Sequence, residues 1–143
     1  TLAPPSAKDA VARAFNNEGL APRLAAYRIE LSHLRMGGQL GSGNFGTVYL
    51  AYWSQETAGD EVSVAVKTLH RHHLAETTIE HFKRSMLTEL SLQPHQNIVR
   101  ALGWAADLAV GSLMVVMERC AGGTLEAALE DGLPVQWPLS WKL

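Results

Sequence analysis

The sequence has 143 residues, 47% of them hydrophobic, which is enough for about one domain with a real core. Its formal net charge of -2 gives no electrostatic reason to expect a nucleic acid or an anionic membrane surface as a partner. The single cysteine, Cys120, excludes an internal disulfide, and we expect no membrane span because no run of about 18 apolar residues occurs. We therefore expect a cytoplasmic protein, or one on the cytoplasmic side of a membrane if a span precedes Thr1.

The first 26 residues are rich in Ala and Pro. We interpret this stretch as a linker or docking segment that contains one short helix over Ala7–Phe15. One folded domain is expected from residue 27 to residue 143.

Three consecutive strands are predicted in the first half of that domain. Leu34–Leu40 leads into a glycine turn, and Thr47–Trp53 follows with β-branched and aromatic residues. After the polar connection Ser54–Glu61, Val62–Val66 alternates valine with small or polar residues, which is the period of a half-buried strand.

One main helix is predicted next, with Thr77 or Thr78 as its cap and its end near Leu92, before Pro94. Apolar residues at spacings of three and four form one stripe along it. They are Ile79, Phe82, Met86 and Leu90.

Two further strands and a short helix complete the pattern. The strands are predicted over Ile98–Ala105 and Leu113–Met117, and the helix over Leu125–Leu129 with Thr124 as its cap. This order of elements predicts an α+β fold, in which one helix packs across a five-stranded antiparallel sheet.

The glycine turn, Gly41–Gly46, has the pattern G-x-G-x-x-G, which two kinds of phosphate site use. A dinucleotide-binding loop must open a helix, but Thr47–Trp53 favours a strand. A Walker-type loop is also excluded because no G-K-[ST] sequence follows. The remaining possibility is a loop between two antiparallel strands, whose backbone can approach phosphate oxygens closely.

Lys67 lies nineteen residues after Val48, at the end of a valine-rich strand. A half-buried ammonium group is costly unless anions pair with it. Phosphate oxygens and a helix carboxylate would supply such anions. Without the glycine loop, a strand lysine that reaches water would be the better interpretation.

Taken together, these motifs resemble the protein kinase family. Leu40–Tyr49 is similar to its glycine-rich loop, Val64–Leu69 to its third strand, and Leu113–Leu129 to its fifth strand, hinge and following helix. His95–Trp104 is similar to the segment before its fourth strand, and the final PLSWKL to a later helix. The run Tyr27–Arg35 favours the tyrosine-kinase or tyrosine-kinase-like group.

The resemblance implies the amino-terminal lobe of a kinase domain and an ATP site. The residues that it assigns to ATP are Leu40, Gly41, Ser42, Gly43, Asn44, Phe45, Gly46, Val48, Ala65, Lys67, Met117, Glu118 and Cys120. The loop amides would cover the phosphates, Lys67 would hold the α- and β-phosphates, and the apolar members would enclose adenine. Met117 would be the gatekeeper, and the backbones of Glu118 and Cys120 would bond the adenine edge.

The family also pairs the lysine with a glutamate of the helix, for which Glu89 is the candidate beside Lys67 as a catalytic residue. Only five residues separate Glu89 from His95, fewer than in the family. An alignment without a gap puts Met86 there instead, and Glu89 would then be a solvated helix residue.

The family's catalytic and magnesium-binding segments are expected after residue 143, so no metal site is predicted in this chain. The function that the resemblance implies is a transferase, a protein kinase that passes a phosphoryl group from ATP, with Mg²⁺, to a Tyr, Ser or Thr hydroxyl of a protein substrate. This chain would supply only the ATP-binding lobe and be inactive alone. The alternative is a pseudokinase or nucleotide-binding scaffold.

Overall fold

A computed structural model describes residues 6–15, 21–44, 46–55, 59–69 and 76–132. The strands are β1 (Leu34–Ser42), β2 (Gly46–Ser54), β3 (Glu61–Leu69), β4 (Ala101–Asp107) and β5 (Ser112–Glu118). The helices are α1 (Ala7–Ala14), α2 (Pro22–Ala26), α3 (Glu76–Ser91) and α4 (Leu125–Glu130), and a 3-10 turn spans Leu31–His33.

The five strands form one sheet in the order β1-β2-β3-β5-β4, and every neighbouring pair is antiparallel. The predicted α+β fold, with a five-stranded antiparallel sheet and one long helix, is confirmed. The β-branched pair Ile98-Val99 had suggested that β4 begins at Ile98, but the strand begins at Ala101. Both residues of the pair are exposed, and Ile98 belongs to a turn in which its backbone N–H donates to the carbonyl of His95 at 3.1 Å.

Apolar side chains cover the sheet on both faces. On the outer face, Ala51, Val64, Val66 and Val116 are buried together with Ile29 from the chain before β1. The other face, called the inner face below, carries α3 at its β4–β5 end. The predicted stripe of α3 is confirmed, since all four residues are at most 7% exposed.

The predicted amino-terminal caps of α3 and α4 have different outcomes. Thr77 and Thr78 lie within α3, Glu76–Ser91, so the prediction that one of them caps the helix is wrong. At α4 the predicted cap is confirmed, because Thr124 Oγ1 accepts the backbone N–H of Ala127 at 3.1 Å. This bond satisfies one of the amide groups that a helix leaves unpaired at its start.

The segment before β1 packs on the lobe and is not a free linker in its described part. Val11 and Phe15 of the α1 region and Leu24 of α2 are at most 1% exposed and share a cluster with the α3 stripe. Trp104 of β4 anchors the segment, since its Nε1–H donates to the carbonyl of Leu24 at 2.7 Å. The boundary at residue 27 stays a prediction.

Residues 27–29 also cover the free edge of the sheet. Arg28 forms a parallel bridge with Trp104, and Ile29 donates its backbone N–H to the Trp104 carbonyl at 2.8 Å. In return, Trp104 donates its N–H to the carbonyl of Tyr27 at 3.1 Å. The outer edge of β4 is therefore partly hydrogen-bonded, which leaves less of it open to pairing with another chain.

In the described part of the chain, no helix has the length and apolar character needed to cross a membrane.

Candidate nucleotide site

The glycine loop is the hairpin that joins β1 to β2. Gly41 pairs with Val48 and Ser42 pairs with Thr47, and the N–H of Gly43 donates to the carbonyl of Gly46 at 2.9 Å. Ser42, Gly43 and Asn44 at the tip are exposed. Phe45, one of the residues that the resemblance assigns to ATP, lies outside the described residues. The loop thus presents backbone at an open end of the sheet, as the strand-turn-strand prediction requires.

The glycines of this loop meet different surroundings. A Cβ at Gly46 would lie 1.9 Å from the backbone carbonyl oxygen of Thr68 on β3, so glycine is required by the close approach of that strand. A Cβ at Gly41 or Gly43 would meet nothing within 4 Å. Gly46 therefore serves the sheet, whereas Gly41 and Gly43 border open space in which a ligand can approach the backbone.

Hydroxyl groups hold the base of the loop against β3. Thr68 Oγ1 donates to the carbonyl of Thr47 at 3.1 Å, and the hydroxyls of Ser42 and Thr47 lie 3.2 Å apart. Thr47 is 9% exposed and forms the centre of this arrangement. The hydroxyl bonds connect the loop to the strand that carries Lys67, so the two predicted phosphate-binding elements have a fixed relation.

Strand register brings the predicted adenine and phosphate residues onto one face. Val48 lies opposite Lys67 across the β2–β3 pair, and Ala65 lies opposite Met117 across the β3–β5 pair. Directly opposed residues, and residues two apart on a strand, share a face. Val48, Ala65, Lys67 and Met117 therefore form a patch on the inner face, beside α3. Leu40 is on β1, the neighbouring edge strand, and is 53% exposed.

Lys67 is half-buried within this patch, between Val48 on one side and Val115 on the other. Among the ion pairs of the described residues, none includes Lys67. An ammonium group on a valine-lined face that forms no ion pair with a described carboxylate is suited to an anionic ligand, because pairing would offset its desolvation.

The structure does not bring Glu89 to Lys67. Glu89 is exposed, its Oε1 accepts the hydroxyl of Ser85 at 3.0 Å, and no ion pair joins it to Lys67. Met86, one turn earlier, is 1% exposed in the core. Three residues of α-helix put Glu89 about 60° around the axis from Met86. The buried stripe fixes the orientation of the helix, so Glu89 lies on the exposed surface at its edge.

Glu89 lines a groove of about 500 Å³ at the end of α3, a feature that the sequence did not predict. The groove lies between α2, the end of α3 and the turn before β4. Its lining includes Arg23, Tyr27, His95, Ile98 and Arg100. Because it is formed by segments far apart in the chain, no local pattern indicated it.

The predicted hinge begins at Glu118, the last residue of β5. The N–H of Glu118 is already used, since it donates to the carbonyl of Arg100 at 3.0 Å. Cys120 is exposed, and its carbonyl accepts the N–H of Gly123 at 3.4 Å, where the backbone turns with φ +78°. Both residues lie beyond Met117 at the edge of the patch. Among the described residues, no group of three or more His, Cys, Asp or Glu side chains could hold a metal ion.

Comparison with known proteins decides the family. The model of the protein tyrosine and serine/threonine kinase domain matches residues 34–141, which is most of the chain. This chain belongs to the protein kinase family. The match begins at the first residue of β1, so the kinase lobe contains the glycine loop, the inner-face patch and α3, with α1 and α2 packed on it.

Relatives of this kinase lobe include kinases named for serine/threonine and for tyrosine. The probable serine/threonine-protein kinase drkA of Dictyostelium discoideum is 30% identical over 116 residues, 80% of this chain and 17% of its own length. The Ack-related non-receptor tyrosine kinase of Caenorhabditis elegans is 28% identical over 112 residues, 75% of this chain and 10% of its own. The receptor-like kinase LIP1 of Arabidopsis thaliana is 30% identical over 140 residues, 96% and 19%. The chain therefore spans less than a fifth of each.

Proposed function

We propose that the inner-face patch binds ATP and that the complete protein transfers its γ-phosphoryl group to a hydroxyl of a protein substrate. The observation that carries this proposal is the register that puts Val48 opposite Lys67 and Ala65 opposite Met117. One half-buried cation thereby lies on an apolar surface below an exposed glycine hairpin. A nucleotide needs both an apolar surface for its base and a cation with backbone amides for its phosphates.

Different residues of this chain would bind the adenine and the phosphates of the nucleotide. The apolar surface of Val48, Ala65 and Met117 would bind adenine, together with Leu40 from the edge strand. Lys67 would hold the α- and β-phosphates by charge-assisted hydrogen bonds, which are the stronger kind. The amides of the loop from Gly41 onward would cover the phosphates and keep water from them. Bound Mg²⁺ neutralises phosphate charge during transfer, and its ligands are proposed in the part of the protein that follows residue 143.

Calorimetric titration of Mg-ATP into this chain tests the site. We expect weak binding by the wild type and a loss of about tenfold or more for Lys67→Ala, since a charge-assisted contact to phosphate is removed. Arg84→Ala, which removes an exposed cation from α3, is the matched control and should leave the affinity unchanged. Equal affinities of the wild type and Lys67→Ala would show that the phosphates bind elsewhere.

A second function, a nucleotide-binding scaffold without phosphoryl transfer, is favoured by one observation. Lys67 has no ion pair with Glu89, and Met86, the residue that an alignment without a gap puts in the place of the glutamate, is buried in the core. Phosphoryl transfer in kinases depends on that lysine–glutamate pair. The two proposals differ in the complete protein: transfer of radiolabelled phosphate to a protein substrate supports the kinase, while ATP binding without any transfer supports the scaffold.

A further inference from the structure

Helix α1 is held on the lobe by one face. Val11 is fully buried, Phe15 just after the helix is 1% exposed, and Ala10 is 7% exposed. Ser6 caps the helix by accepting the N–H of Asp9 at 3.2 Å. A helix of eight residues is not stable by itself in water, so α1 exists as a helix because it is docked.

Phe15 connects this docked helix to both layers of the lobe. Its ring centroid lies 4.7 Å from that of Trp104 on β4 and 6.0 Å, edge-on, from that of Phe82 on α3. Lys83, also on α3, has its Nζ 5.3 Å from the Phe15 ring centroid. The position of α3 against the sheet therefore depends in part on one side chain from outside the family match.

The cluster that contains Phe15 extends to the neighbours of Lys67. Leu69 and Val115 are partly buried against it. Val115 lies directly opposite Lys67 across the β3–β5 pair, and Leu69 is two residues further along the same face of β3. Close packing transmits a change at one side of such a cluster to the other, since interiors have little free volume.

We propose that the docked α1 is a positioning helix for the phosphate end of the nucleotide site. Through Phe15 and Val11, it holds α3 and the shared cluster against Leu69 of β3 and Val115 of β5, the neighbours of Lys67. Phe15 is a positioning residue that touches no ligand. The inference rests on the proposed ATP site, and it implies that anything that undocks α1 weakens the binding of phosphates more than the binding of adenine.

The test compares Mg-ATP with adenosine, which lacks the phosphates, in titrations of the 143-residue chain. For Phe15→Ala we expect Mg-ATP affinity to fall about tenfold while adenosine affinity per folded molecule stays the same, a coupling within the range seen between packed residues. Lys8→Ala, an exposed change on the same helix, should alter neither. In a Lys67→Ala background the Phe15→Ala effect should vanish. An equal loss for both ligands, or no loss for either, would overturn the proposal.

Val11→Ala serves as the milder variant if Phe15→Ala does not fold, with the same expected direction and a smaller effect. If the wild type binds neither ligand, the proposed ATP site itself fails. Hydrogen exchange then decides the positioning separately, because Val11→Ala should speed exchange of the amides from Ile79 to Leu90 of α3. Unchanged protection of those amides would contradict a role of α1 in holding α3.

Discussion

Single residues of the glycine loop have different reasons to be glycine. The sequence predicted one common purpose, close approach of phosphates, for Gly41, Gly43 and Gly46. In the structure, Gly46 is required by strand packing, because a Cβ there would collide with the backbone carbonyl of Thr68 on β3. That carbonyl is distant in the sequence, so the motif alone could not indicate the lack of space. A local motif therefore predicts a turn correctly without revealing which glycine the sheet itself needs.

Gly46→Ala should destabilise the fold, since its Cβ would lie 1.9 Å from a backbone oxygen and β2 or β3 must shift. We expect a loss of about 2 kcal/mol or more in the free energy of unfolding, as overpacking commonly costs. Gly43→Ala, which meets nothing within 4 Å, should change it by less than about 0.5 kcal/mol. Urea denaturation of both variants measures the difference, and similar losses would contradict the proposed division of roles.

An exposed ion pair gives a prediction on pH. Arg35 donates to both carboxylate oxygens of Glu61, at 3.2 and 2.6 Å, and lies over the ring of Tyr52. Its hydrogen bond, aided by its charge, lowers the pKa of Glu61 below the ordinary 4.5. A carboxyl group whose pKa is lower in the folded than in the unfolded state stabilises the fold at any pH above its unfolded pKa. This stabilisation disappears as the pH falls through its folded pKa.

Arg35→Gln should therefore be less stable than the wild type at pH 7, by a small amount because the pair is exposed. The difference should shrink as the pH falls below 4.5, since Glu61 becomes protonated in both proteins. Thermal denaturation across this pH range measures it. A difference that is constant with pH would mean that Arg35 acts through its contact with Tyr52 instead.

The strands and α3 could be predicted because their periods are local. Alternating valines mark β3, and apolar residues at spacings of three and four mark the buried side of α3. The role of Glu89 could not be predicted, since it lies at the edge of that stripe and only tertiary packing fixes the orientation of the helix. The contacts through which α1 and α2 dock could not be predicted either, because Ala- and Pro-rich composition contains no information on contacts with β4.

Trp104→Phe tests how the segment before β1 is attached. Phenylalanine keeps most of the apolar contact but cannot donate to the carbonyl of Leu24, so we expect a loss of about 1 kcal/mol or more in the free energy of unfolding. Hydrogen exchange should also become faster in α2. If exchange there is unchanged, the indole hydrogen bond does not hold the segment.

The whole lobe combines an order of elements that the sequence predicted with long-range contacts that it did not. The motifs follow one another in the chain, so their order could be read directly. The indole bond of Trp104 joins residues 80 positions apart, and the groove beside Glu89 is built from two stretches that are distant in the chain, residues 23–27 and 89–101. In the described part of the chain, the inner-face patch and the groove are both open regions, and of these two the patch combines an apolar surface with a cation beside the glycine loop.

Amide chemical shifts recorded by NMR during a titration with Mg-ATP test this choice most directly. We predict shifts concentrated in Gly41–Val48, Ala65–Lys67 and Met117–Cys120, with Lys67→Ala reducing those of the glycine loop. Shifts centred on Glu89–Ala101, around the groove, would contradict the assignment of the nucleotide to the inner face.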